Sequence, residues 1–142
     1  MSRMTRDQAV DRLLDGVQDD MRACAAVRAL LERQFQAALR HRGPELALLA
    51  EDLMPQLDAM EARRQQRVQL VRALFGADAT MDQLFASLAA PQRAGASAAW
   101  AQLEQLVRDC KQATARNGSL MAEQFSVMQR LLHGTEDTYA PR

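Results

Sequence analysis

Two cysteines, Cys24 and Cys110, two histidines, His41 and His133, and a block of arginines, Arg63, Arg64, Arg67 and Arg72, are the residues of this 142-residue chain whose types suit chemistry. None has the company that chemistry needs. A zinc site takes three or four converging thiolate, imidazole or carboxylate ligands, and two separated cysteines with two histidines at helix ends make no local half-site. A di-iron bundle takes inward-facing Glu-x-x-His pairs, but Ala38 and Arg130 stand three residues before the histidines. Covalent catalysis needs a Ser or Cys beside a base, with a turn that stabilises an oxyanion. The glycine turns Gly43-Pro44 and Gly76-Ala77 carry no such set, and there is no Gly-x-Gly-x-x-Gly, Gly-Lys-Ser/Thr or Cys-x-x-Cys motif. The sequence therefore predicts no enzyme, no metal and no cofactor.

The arginine block is locally basic, yet Gln65 and Gln66 dilute it and no aromatic residue interleaves to stack a base, so a solvated helix face is the expected reading. Formal net charge is zero, with 18 basic and 18 acidic residues. A nucleic-acid binder commonly neutralises about six to ten phosphates with a clustered basic face, so no nucleic-acid partner is expected. No window approaches the roughly 18 consecutive apolar residues of a membrane span, and the N-terminal residues lack the apolar region of a signal peptide. The expected location is cytosolic, with Cys24 and Cys110 as reduced, buried thiols.

Helices must position whatever this chain binds. Apolar residues recur every three or four positions in three long stretches: Leu13, Val17, Met21, Cys24, Val27, Leu31, Phe35 and Ala38; then Leu46, Leu49, Leu53, Leu57 and Met60, continuing with Leu70, Val71 and Leu74; then Trp100, Leu103, Val107, Cys110, Leu120, Met121, Phe125, Met128 and Leu131. Leu, Ala, Val and Met dominate the apolar palette, all but Val strong helix formers. The fold class is all-α: an elongated, coiled-coil-like antiparallel bundle of three long helices plus one short helix, in a single domain over residues 1–142.

Local signals set the boundaries. Thr5 and Gln8 form a capping box that starts the first helix, which runs to about Arg40. Gly43-Pro44 ends one helix, with glycine in the left-handed cap, and opens the next. The second helix reaches Phe75, with a kink expected at Pro55, and the stretch Glu61 to Arg67 is expected to face water or project past its partner. Thr80 and Gln83 repeat the capping box before a short helix from Met81 to Ala89. The small residues of 90–97 read as a mobile loop, after which a fourth helix runs from about Ser97 to His133-Gly134. There His133 would meet the helix dipole favourably, and 134–142 read as a flexible tail.

Arg116-Asn117-Gly118-Ser119 is the oddest passage. Asn followed by Gly inside a helix costs about 1 kcal/mol relative to Ala, so the helix kinks there or is thin because another chain approaches closely. The stripe beyond it, Leu120, Met121, Phe125, Met128 and Leu132, reads either as ordinary core or as an adaptable groove.

At this passage the chain resembles the FlgN family of flagellar export chaperones for the hook-associated proteins FlgK and FlgL. The resemblance runs from Asn117-Gly118 through Leu131-Leu132-His133-Gly134 to Thr138-Tyr139-Ala140-Pro141, with Leu30-Leu31-Glu32 and Met60-Glu61-Ala62-Arg63 matching the earlier helices. Tyr139 is followed by Ala140 where the family frequently has Gly. The resemblance implies a helix-in-groove binder. The C-terminal helical segment of FlgK or FlgL would lie on Asn117, Gly118, Leu120, Met121, Phe125, Met128 and Leu132, and Tyr139 would dock to the export gate protein FlhA. The rival expectation is a structural coiled-coil adaptor or homo-oligomer that buries the same stripe permanently.

Overall fold

A computed structural model describes the backbone of residues 4–139 and the side chains of residues 4–133. Four helices account for nearly all of it: α1 (Arg6–Leu39), α2 (Gly43–Phe75), α3 (Met81–Ala86) and α4 (Ala90–Tyr139). There are no strands among the described residues, and the chain is an all-α bundle of three long helices and one short one. No helix among them is long and apolar enough to cross a membrane.

Capping chemistry starts α1 as expected. The Thr5 hydroxyl accepts from the Gln8 amide at 3.1 Å and the Gln8 side chain accepts from the Thr5 amide at 2.9 Å, so two otherwise orphaned donors are satisfied. At the other end the left-handed residue is His41, at φ 54°, and not Gly43. Gly43 and Pro44 instead form the first turn of α2, where the missing proline donor has no partner to lose. The turn folds α2 back along α1, antiparallel. Helix α2 stays helical through Pro55, and Gly76, at φ 109°, ends it. A residue with a side chain rarely adopts that angle without strain, so glycine suits the position.

Residues 90–97, expected as a loop, are the first two turns of α4. Pro91 falls in the first turn, where its lost donor costs nothing, the alanines favour helix, and Ala96 and Ala99 pack on the core. The helix also passes the expected stop at His133-Gly134, so His133 lies inside α4 rather than at its end. Residues 134–139 of the expected tail have helical backbone, and 140–142 lie outside the described residues. The Asn117-Gly118 pair does not break the helix either.

Helix α1 is the spine. Both α2 and α4 pack along it and touch each other little, so the core is two layers of contact with one shared helix. The larger core cluster joins Val10, Leu13, Val17 and Cys24 of α1 with Val71 of α2, Leu103 of α4, and Met81, Leu84 and Phe85 of α3, which closes this end of the bundle. Nearer the other end, Val27 and Leu31 meet Leu53 and Ala113.

Candidate functional site

Helices α1 and α4 run parallel, as the first and third members of an up-down-up bundle must, and a polar ladder holds their register. Cys110 donates to the carbonyl of Cys24 at 3.5 Å, Asn117 to that of Leu31 at 2.8 Å, and Gln124 to that of Ala38 at 2.8 Å. Each rung falls seven residues after the last on both helices, the heptad repeat of a coiled-coil seam. Asn117 is the centre of the ladder and is 1% exposed. Its amide also donates to Gln34 at 2.9 Å, and its oxygen accepts from the Arg116 guanidinium at 3.0 and 3.1 Å. Arg116 in turn reaches Glu32 at 3.0 Å and lies over the Phe35 ring at 4.0 Å. Asn117 is therefore committed to α1, and it is not open to a bound partner as its place beside Gly118 suggested.

The α1 ladder ends at Ala38, one residue before α1 itself ends. Helix α4 continues from Phe125 to Tyr139, roughly 22 Å at 1.5 Å per residue. This overhang carries large apolar side chains that face solvent: Phe125 is 65% exposed, Met128 55%, Leu131 62% and Leu132 55%, with Val127 at 42%. Scattered exposed apolar residues need no explanation, whereas a contiguous run on one helix marks an interaction surface. Leu120 and Met121 are half-buried and lead into this run, and Gly118 is exposed, with open space where a side chain would stand. Of the stripe read from the sequence, Phe125, Met128 and Leu132 are thus fully presented, Leu120 and Met121 partly, and Asn117 is turned away. The Tyr139 side chain lies outside the described residues.

Because α2 and α4 touch each other little over α1, a groove of about 440 Å³ opens between them, with Leu57, Met60 and Arg64 on one wall and Trp100, Val107 and Lys111 on the other. Positions Val107, Lys111, Gly118, Met121, Phe125, Met128 and Leu132 follow one another at helical spacing, so the groove and the apolar overhang share one face of α4. On α2, Met54 and Leu57 are exposed at 55% and 44% along the same side.

Apolar periodicity alone passes over Asp20, which stands among the apolar positions of α1. It is 4% exposed and bonds Arg63 and Arg67 of α2, so these two arginines point inward rather than to water, while Arg64 remains outside on Glu61. Arg67 also lies over the Trp100 ring of α4 at 5.2 Å, which ties all three long helices at one level. The signal was present: Asp20 falls on the rhythm Leu13, Val17, Asp20, Cys24, where a carboxylate is tolerated only if paired, and Arg63 and Arg67 are one helical turn apart.

Both thiols are held protonated. Burial pushes Cys24 up to about 11, with Cys110 and Asp20 adding to the effect, and burial also raises Cys110. Among the described residues no group of three or more His, Cys, Asp or Glu side chains is placed to hold a metal.

The fold and this surface define a helical binding protein, with an apolar helix face left outside its own core. The chain matches the family model described as FlgN protein over residues 1–134, and it belongs to the FlgN family. That is a family of flagellar export chaperones. No curated protein and no solved structure matches the chain.

Proposed function

We propose that the protein is a cytoplasmic chaperone of flagellar type III export that holds the C-terminal helical segments of the hook-associated proteins FlgK and FlgL before they assemble. The observation that supports this reading most is the exposed run of Phe125, Met128 and Leu132 at the end of α4. An amphipathic client helix would set its apolar face there and extend into the groove beside α2, in the manner of helix-in-groove recognition. Ordering a client segment costs roughly 2–5 kcal/mol of the gross interaction, which keeps the complex releasable. Delivery to FlhA through Tyr139 rests on the family resemblance.

Purified protein mixed with FlgK or FlgL from the same cell should co-elute, and client truncated at its C-terminus should not. Phe125→Asp with Met128→Asp should remove the complex while circular dichroism stays helical, because both side chains already face solvent. Binding of truncated client at full strength would refute the proposed contact. A stable self-associated state that buries the overhang and does not dissociate on adding client would favour the oligomer instead.

A further inference from the structure

The apolar face of α4 continues past the level where α1 stops. Up to that level one face of α4 meets α1, through Leu103, Cys110, Ala113, Asn117 and Gln124. On the side toward α2, Glu104, Lys111 and Gly118 recur every seven residues beside the half-buried Trp100 and Val107. Seven and fourteen residues after Gly118, the same position is Phe125 and Leu132. The α1-facing line meanwhile stays apolar: Val127 stands two heptads after Ala113, yet α1 has ended at Leu39, itself 47% exposed. The exposed apolar arc from Val127 through Met128 to Phe125 therefore spans roughly 160° at about 100° per residue. A coiled-coil seam with one partner needs a narrower stripe than this. Over its covered length α4 meets α1 on one side and, through Trp100 and Leu103, the α2–α3 part of the core on the other, and the overhang keeps an apolar arc broad enough for two helical neighbours.

We infer that the client engages the overhang with two helices, one stacked in line with α1 beyond Leu39 against Val127, the other on the α2 side against Phe125 and Met128. The inference rests on the client-binding reading above and specifies the kind of partner it takes: a pair of amphipathic helices, not one. The in-line helix continues the α1–α4 seam already formed by this chain. The second occupies the side of the groove between α2 and α4.

The test uses the full chain with full-length FlgK from the same cell. A photoreactive benzoylphenylalanine is placed at position 127 in one variant and at 128 in another, and the joined client peptides are identified by mass spectrometry. The two positions point about 100° apart, so two helices give peptides from two separate parts of the client, and Val127→Asp weakens binding about tenfold or more without loss of helix content. The inference is overturned if both positions capture the same client segment, if a single-helix client peptide binds as tightly as the whole client, or if the cross-links join two copies of this chain. Failure to form any complex is a different result. It removes the client-binding reading itself, and this inference with it.

Discussion

Asn117 of α4 donates to the carbonyl oxygen of Leu31 in α1 at 2.8 Å, from a position that is 1% exposed. An apolar side chain at this seam position would bury at least as favourably, so the amide contributes something other than raw stability. The Leu31 carbonyl has counterparts one heptad away at Cys24 and Ala38, but Gln34 offers the Asn117 amide its second acceptor in one alignment only. A slip of one heptad keeps apolar residues facing apolar residues along most of the seam, but takes the amide away from Gln34. Buried polar residues at such positions are best attested as register keys. Here register has a functional reading, since it decides how much of α4 extends past Leu39.

Asn117→Leu should therefore leave the thermal midpoint level or higher while the alignment loosens. Spin labels at exposed Gln36 and Lys111, with Cys24 and Cys110 replaced by alanine, should show one narrow distance with Asn117 present. In the leucine variant a second population should appear, displaced along the axis by about 10 Å, one heptad of helix rise. A single unchanged distance would exclude the register role.

Asp20→Asn should unfold the protein at much lower urea. Asp20 is enclosed with Arg63 and Arg67, and removing one member of a buried ionic group leaves uncompensated charge, at a cost of about 3–5 kcal/mol. Asp19→Asn is the control, because its pair with Arg22 is exposed and worth less than about 1 kcal/mol. Equal midpoints for the two variants would show that Asp20 is not an electrostatic anchor.

Much of this architecture is legible in the sequence because helical periodicity is dense and the caps are explicit: Thr5-Gln8 places the start of α1 and Gly76 the end of α2. Legibility fails where a residue's local signal and its tertiary partners disagree. The small residues of 90–97 read as a loop, yet Ala96 and Ala99 find the core and their own helix propensity carries the turn. Arg63 and Arg67 read as solvated, and only the facing carboxylate of Asp20 draws them in. The candidate site was half legible. Spacing alone groups Asn117 with Phe125 and Leu132, but which side of the stripe meets α1 depends on where α1 ends, a fact of three-dimensional length and not of periodicity.

Stability should fall as pH rises from about 9 to about 11, in part through Cys24. Its folded thiol is raised above the ordinary value of 9.0 to about 11, chiefly by burial. Below pH 9 the thiol is neutral in both states and the stabilisation is fully present. Above that the unfolded chain ionises while the folded chain keeps its proton, and the stabilisation is lost as pH approaches the folded value. Urea midpoints measured at pH 8 and pH 10.5 should drop more for the natural chain than for Cys24→Ala. Identical drops would assign the alkaline loss to other groups.

On the proposed client-binding reading, Gly118 would separate stability from binding at a single position. It is exposed within α4, and a methyl group added there would meet nothing within 4 Å, so no packing in this chain explains a glycine whose helical cost is about 0.5–1 kcal/mol relative to alanine. Gly118→Ala should raise the unfolding free energy by that amount, read as a higher urea midpoint. Gly118 also stands in line with Met121 and Phe125, between the groove beside α2 and the apolar overhang, where a passing client helix would come closest to the α4 backbone. Gly118→Trp should then keep full helix content but bind FlgK at least tenfold more weakly, with the alanine variant between the two. If the tryptophan variant holds the client as tightly as the natural chain, the client does not cross this point, and the contact begins only at Met121.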